Sequence, residues 1–392
     1  MRALILTNEF PPTIYGGAGV HVGELTRALR QLIEVEVRTF GDDQVDEPGW
    51  QVTGFPADER FGGVFKTLER DIHMAAPPTE ADVVHAHTWY THLAAVLTRL
   101  NAGIPLVVTV HSLEPLRPWK REQLGGGYDV SSWIEKTALE MADAVIAVSR
   151  ETRDDVLRLF DVRPERVHVI HNGIDADFFH PVVETDALER HGVDPSRPYV
   201  LFVGRITRQK GIVHLVRAIA QLDPGIGVVL CAGQPDTPEI AREMEEGVAA
   251  ARAHRSNVVW IPEMVSREAV RQLYSHAAVF CCPSVYEPFG IINLEAMACE
   301  TPVVASAVGG IPEVVVEGET GVLVPLELAA PMQPADAARF EDDLADAINA
   351  LMADPGRRRA MGEAGRRRAV ESFGWDAIAR RTIELYAATG SA

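Results

Sequence analysis

Val200-Leu201-Phe202-Val203-Gly204-Arg205-Ile206-Thr207-Arg208-Gln209-Lys210-Gly211 runs an apolar strand into a glycine-bearing loop, and an amphipathic helix follows over 211–222. The same order opens the chain: residues 4–7 lead through Pro11-Pro12 to Gly16-Gly17-Ala18-Gly19 and a helix from about His21. A loop between the carboxyl end of a parallel strand and a helix start is where open α/β sheets bind ligands. The helix N-terminus there offers unpaired N–H groups and positive potential to phosphate.

Working outward from these two openings, short Val/Ile/Leu runs alternate with helical stretches. One series of strands is expected at 3–7, 35–39, 82–85, 106–110, 144–148 and 167–170, and a second at 200–203, 227–230, 258–260, 279–282, 302–305 and 321–324. Continuous apolar strands alternating with helices predict parallel sheets covered on both faces. The soft break between the series runs over 181–198 and holds Asp194-Pro195-Ser196, so we expect one domain over 1–183 and another over 190–372. Residues 325–338, with three prolines, read as a surface loop. The apolar stripe Trp375, Ile378, Ile383, Tyr386 needs a surface to pack on, and the helix carrying it, 375–392, is expected to return to the N-terminal domain.

The whole chain agrees with two globular domains: 392 residues, 47% hydrophobic and 24% charged. The charge is 37 − 56 = −19, which argues against nucleic acid as a partner. It also makes a local basic cluster informative. Cys231, Cys281, Cys282 and Cys299 fit no zinc spacing and read as reduced, buried thiols. The opening Met-Arg-Ala-Leu-Ile-Leu-Thr shows no signal-peptide pattern, and no apolar run approaches the ~18 residues of a membrane span. The expected location is cytoplasmic, without stable membrane association. Oligomeric state stays open, with a homodimer among the options.

Gly204-Arg205-x4-Lys210-Gly211 places two cations around a tight turn at a helix start. Such a pair can neutralise a diphosphate without a metal, Arg binding bidentately and Lys as a point charge. A solvated basic turn is the competing reading, which the acidic background disfavours. Tyr286-Glu287-Pro288-Phe289-Gly290-Ile291-Ile292-Asn293-Leu294-Glu295 places one carboxylate before a helix near Ile291 and another on its second turn. A carboxylate can accept two hydrogen bonds from neighbouring sugar hydroxyls. In the apolar surroundings of 291–299 both Glu residues need partners. Gly16-Gly17-Ala18-Gly19 is either a phosphate loop or a flexible turn. His111 ends an apolar strand, where it is either a ligand-facing or a structural histidine. His85 and His87 have the i, i+2 spacing of a metal pair, but no third ligand is evident and no metal is expected. The stretch 116–128, with Arg117, Lys120, Arg121 and Tyr128, can hold an anionic acceptor or form a surface loop. Met264 and Val265 follow a strand end and are candidates to lie near a base. The runs 357–359 and 366–368 read as solvated basic helix faces.

In combination these residues resemble the retaining glycosyltransferases of family four, over nearly the whole chain. The resemblance rests on Glu9-Phe10-Pro11-Pro12 with Gly16-Gly17, the strand at 145–149, Asn172-Gly173-Ile174-Asp175, the 204–211 loop and the Glu287-x7-Glu295 pair. It implies the GT-B fold, two Rossmann-like domains with parallel sheets facing across a cleft. His111-Ser112-Leu113-Glu114-Pro115-Leu116-Arg117-Pro118-Trp119-Lys120, residues 123–128 and His85-Ala86-His87-Thr88-Trp89-Tyr90 are similar to the actinobacterial glycogen synthase branch. That similarity implies ADP-glucose as donor, α-1,4 linkage, and either glucose 1-phosphate (giving maltose 1-phosphate) or a growing α-glucan as acceptor. The Arg117, Lys120, Arg121 cluster tilts towards the phosphorylated acceptor.

By the same resemblance, Arg205, Lys210 and the backbone at Gly17, Gly290 and Ile291 would hold the donor diphosphate. Glu295 would bind the ribose, and Glu287, Phe289 and Gly290 the transferred glucose. His111 would stand beside the reacting face. No metal cofactor is implied. Other bacterial glycogen synthases carry Asp at the position of Thr88, and Lys-Thr where Ile14-Tyr15 stands, so those contacts do not carry over. Retention is open to front-face attack or to double displacement with Glu287 as catalytic nucleophile. The alternatives in function are a related transferase acting on an inositol phosphate or lipid, and a non-catalytic sugar-nucleotide-binding regulator.

Overall fold

The computed structural model describes residues 1–390 other than Tyr15, Asp43, Pro48, Met264 and Pro331, together with all their side chains but those of Glu122 and Gln123. Met264, Tyr15 and the Glu122 and Gln123 side chains, which figure in the readings above, thus lie outside the described residues.

The chain forms two compact units, Met1–Gly173 with Trp375–Ala392, and Ile174–Gly374. In the first, β1 (Arg2–Thr7), β2 (Glu34–Phe40), β3 (Gln44–Glu47), β4 (Trp50–Phe55), β5 (Val83–His87), β6 (Leu106–Val110), β7 (Ala144–Ala147) and β8 (Val167–Val169) make one sheet in the order β3-β4-β2-β1-β5-β6-β7-β8. Its pairings are parallel except β3–β4. Alternate residues feed separate cores. Leu4 and Leu6 enter one with Val84, Ala86 and Val108, whereas Ala3 and Ile5 enter the other with Val83, Val107 and Ile146. Burial on both faces is why these strands read as unbroken apolar runs.

In the second unit, β9 (Tyr199–Arg205), β10 (Gly227–Gly233), β11 (Val258–Ile261), β12 (Val279–Cys282), β13 (Val303–Ser306) and β14 (Gly321–Val324) form a parallel sheet in the order β11-β10-β9-β12-β13-β14. Strand β1 lies between β2 and β5, and β9 between β10 and β12. Each is therefore a point where strand order reverses, and the loops at its carboxyl end diverge to leave a crevice. Both glycine-bearing loops of the sequence leave from these two strands.

Two expectations are corrected. The 325–338 stretch is not all loop, because β15 (Leu328–Ala330) pairs antiparallel with β16 (Gln333–Pro334). This hairpin is largely exposed and so carries no apolar pattern. The passage between units falls at 173–174, ahead of the proline-bearing stretch. Residues 181–198 belong to the second unit because helix Asp186–Arg190 packs there: Ala187 and Leu188 are buried, and the Ala187 N–H donates to Gln272 Oε1 at 2.9 Å.

Helix Trp375–Thr389 lies on the first unit's sheet beside helix Gly17–Leu29, with Trp375, Ile378, Leu385 and Tyr386 in the core of Ile5 and Val107. Tyr386 Oη is 2.6 Å from His85 Nδ1. Among the described residues, no helix is long and apolar enough to cross a membrane. Trp375→Ala is expected to cost about 3–5 kcal/mol, lowering the denaturant midpoint of the first unit. An unchanged midpoint would show the helix to be dispensable.

Candidate active site

In the second unit the two sequence motifs meet. The loop after β9 turns back at Gly211, whose φ is +62° and where any Cβ would overlap the Pro283 carbonyl. Val285 N–H donates to the Gln209 carbonyl at 2.9 Å. On the other side, Gly309 (φ +58°) abuts the Glu287 carbonyl, which accepts from Gly310 N–H at 2.9 Å. Two glycines thus clamp the 283–287 segment between backbones. Gly309 was missed in the sequence because it follows a strand without a motif around it.

The clamp brings Lys210 Nζ to 2.6 Å from Glu287 Oε2, which also accepts from Ser284 Oγ at 3.3 Å. Burial works to lower the Lys210 pKa; the Glu287 charge and hydrogen bond outweigh it and hold the amine above the ordinary lysine range. Arg205 is ion-paired with Asp236, a partner that the sequence reading did not identify. Helix Ile291–Ala298 begins after Gly290, which makes no side-chain cap bond, and its first N–H groups have no intrahelical partner. Phe289 is buried edge-to-face on Phe373, centroids 5.9 Å apart, and has a packing role in this state. Glu295 accepts from Tyr274 Oη at 3.1 Å. Burial raises its pKa to about 7, against the opposing pull of Tyr274, Arg267 and Lys210. Two cations, two carboxylates and a helix start on one crevice can bind a phosphorylated polyol.

In the first unit, Gly16 precedes helix Gly17–Leu29 and donates its N–H to Glu9 Oε2 at 2.8 Å, and Thr88 Oγ1 donates to Asn8 Oδ1 at 2.8 Å. His111 follows β6, and its Nε2 lies 3.0 Å from His87 Nδ1 at the end of β5. His85 is held between Tyr386 Oη and Thr109 Oγ1. The pair that the i, i+2 spacing offered is therefore not a ligand pair. His87 instead groups with His111 and with His21 from the first helix, their ring nitrogens all within 4.8 Å. Burial depresses all three: His21 to about 4, His87 and His111 well below the usual range.

The four residues in 116–128 have different occupations. Lys120 is buried and donates to Glu114 Oε1 at 2.9 Å; the other Glu114 oxygen accepts from Ser131 Oγ at 2.8 Å. Tyr128 is buried, its Oη donating to the Glu114 carbonyl at 2.7 Å. Arg121 forms an exposed bidentate pair with Asp129. Arg117 donates to Ser112 Oγ at 3.2 Å, next to His111, and its Nε has no partner among the described residues. Buried Glu135 accepts the Glu114 N–H, and burial next to Glu114 raises its pKa to about 8. The loop is thus built on a buried carboxylate core that the sequence did not reveal, since Glu114 and Glu135 lie 21 positions apart.

Residues 15–178 match the model of Glycosyltransferase Family 4, and residues 183–368 that of Glycosyl transferases group 1. The sequence is 50% identical over 390 residues to an α-maltose-1-phosphate synthase of Mycolicibacterium smegmatis, covering 98% of this chain and 99% of that protein. The chain belongs to glycosyltransferase family 4. It is also 34% identical over 410 residues to a D-inositol 3-phosphate glycosyltransferase of Xylanimonas cellulosilytica, with 95% and 91% coverage. A sucrose-phosphate synthase structure from Thermosynechococcus elongatus matches with a TM-score of 0.80 at 28% identity and 99% coverage of both chains. This glycosyltransferase has the GT-B fold, with its two Rossmann-like α/β domains.

Removing one member of the Lys210–Glu287 pair strands the other charge. Lys210→Met and Glu287→Gln should each cost up to about 3 kcal/mol, at the modest end because the Lys210 side chain keeps 23% exposure. The double variant should lose clearly less than the sum in denaturant melts. Strict additivity would mean that the two groups are not coupled.

Proposed function

We propose that this glycosyltransferase moves glucose, with retention, from ADP-glucose to glucose 1-phosphate, forming an α-1,4 bond and releasing ADP and α-maltose 1-phosphate. The observation that carries the reading is the 50% identity, end to end, with a protein named for making that product. Arg117 supports a phosphorylated acceptor, because its guanidinium, bonded to Ser112 beside His111 in sequence and 3.9 Å from Glu114, has an Nε–H without a partner among the described residues. We assign Lys120, Arg121 and Tyr128 to bracing the loop. A growing glucan is the second acceptor that the resemblance carries, and an inositol phosphate the third, supported by the 34% relative. The four free, buried cysteines suit a reducing compartment such as the cytoplasm.

In this reading Arg205, Lys210 and the start of helix Ile291–Ala298 take the donor diphosphate. Breaking the glucose–phosphate bond leaves negative charge on the departing ADP, which these fixed donors stabilise. The arrangement supplies that charge from side chains and backbone. Glu287, already engaged by Lys210 and Ser284, is placed to orient Lys210 and accept a glucose hydroxyl. Its engagement favours front-face attack, the leaving phosphate taking the acceptor proton, over Glu287 as nucleophile. His111 is assigned to the transferred glucose and Glu295 to the ribose hydroxyls.

Incubation with ADP-, UDP- or GDP-glucose and each of glucose 1-phosphate, glycogen and inositol phosphate, with products identified by NMR, tests the reading. Maltose 1-phosphate from ADP-glucose is expected, and Arg117→Leu should raise the KM for glucose 1-phosphate about tenfold or more with little change in the donor KM. Turnover on inositol phosphate alone would overturn it.

Glu295 gives a pH dependence. Only its ionised form can accept two ribose hydroxyls, so ADP affinity should rise over roughly pH 6 to 8 and then level. Glu295→Gln should bind ADP more weakly at every pH, without that rise. For stability the sign is opposite: with a pKa raised from 4.5 to about 7, the protonated group favours the folded state below about 4.5, and that contribution fades as pH climbs through 7. A pH-independent ADP affinity in the native protein would remove Glu295 from the ribose site.

A further inference from the structure

We propose that His21, His87 and His111 form a three-imidazole site for a divalent transition cation of the zinc class. The rings are packed as a cluster, with centroids 4.7 Å apart for His21–His111, 5.5 Å for His21–His87 and 5.3 Å for His87–His111. One ring nitrogen from each lies within 4.8 Å of the others. The His87 Nδ1–His111 Nε2 separation of 3.0 Å is already near the ~3.3 Å that two nitrogens span on a tetrahedral ion with bonds of about 2.0–2.1 Å.

Apart from the His87 Nδ1–His111 Nε2 hydrogen bond, the ring nitrogens of His21 and His87 have little other employment among the described residues. His21 is buried, and neither of its ring nitrogens has a full-geometry hydrogen bond among the described residues, although Asn172 stands close enough to act on the ring. His87 Nε2 likewise has none. Buried, unbonded imidazole nitrogens are costly, and a metal bond would satisfy one of the two on His21. Bringing the three nitrogens to a ~2.1 Å bond length requires the His21 ring to move inward by on the order of 1 Å, away from Trp375, whose ring lies 5.3 Å off. Burial keeps all three rings neutral near pH 7, which is the ligand form, and a set of imidazoles suits Zn2+, Co2+ or Cu2+. His111, half-buried, is the side from which an ion enters and where a fourth ligand, water, remains.

The proton count closes. One proton lies between His87 Nδ1 and His111 Nε2. When both nitrogens ligate, it moves to the other nitrogen of its own ring, for His87 the unpartnered Nε2. Two nitrogen lone pairs formerly facing one proton, and one from His21, are donated to the cation. No net proton leaves the protein.

A cation held there occupies His111. On the proposed role of His111 in transfer, it is therefore an inhibitor of the reaction rather than a cofactor. This consequence rests on the proposed function; the site itself does not.

The test titrates full-length protein, stripped with chelator and free of nucleotide, with CoCl2 and then ZnCl2. One equivalent of Co2+ should give the intense visible bands of a four-coordinate ion, which Zn2+ abolishes. The calorimetric enthalpy for Zn2+ at pH 7.5 should not depend on the buffer's ionisation enthalpy. His21→Phe should weaken Zn2+ at least tenfold while transfer in chelator persists. If that variant melts early, His87→Gln is measured instead. Weak six-coordinate bands, net proton release, or undiminished binding in a folded variant overturns the site. Binding as described without loss of sugar transfer leaves the site standing and instead contradicts the role of His111 in transfer.

Discussion

The structure of the candidate donor site depends on one close approach of backbones, Gly211 against the Pro283 carbonyl. No other residue type fits there, and from this contact the rest follows. It fixes the loop after β9 against the segment after β12, the Gln209 carbonyl then takes the Val285 N–H, and Lys210 falls onto Glu287. A half-buried lysine and a buried glutamate are each unfavourable alone and acceptable together. The clamp thus stores a cation and a carboxylate at a strand-order reversal, where an α/β sheet has room for a ligand.

In the proposed function, the arrangement would let an acidic protein present positive charge to a diphosphate. Arg205 and Lys210 are each held by a carboxylate, Asp236 and Glu287. Both are thereby preoriented, so in the proposed role a phosphate would exchange one acceptor for another rather than order a loose side chain. In the first unit burial acts the other way. It holds the His87 and His111 pKa values well below the usual histidine range, which favours neutral rings that hydrogen-bond, as these two do with each other.

Much of this was legible in the sequence. Strands buried on both faces announce themselves as apolar runs, and expected and observed positions coincide at β6, β12 and β14. The edge strand β3 and its neighbour β4 were not seen, since β3 is mostly exposed and polar and β4 is only partly buried. The cation and carboxylate motifs were visible because each is local, a few residues at a helix start. What joins them was not: Gly309, Asp236 and Tyr274 reach the site only through the fold. Neither could the sequence tell that Lys120 is sequestered by Glu114, or that His21 joins His87 and His111, because those partners are set by burial and by tertiary packing.

The central claim is that Lys210 and Arg205 hold a donor's diphosphate. Calorimetric titration of ADP and of adenosine into wild type, Lys210→Met and Arg205→Leu tests it most directly. Each variant should lose about tenfold or more in ADP affinity while adenosine binds as before. Equal losses for adenosine and ADP, or no loss for either, would contradict it.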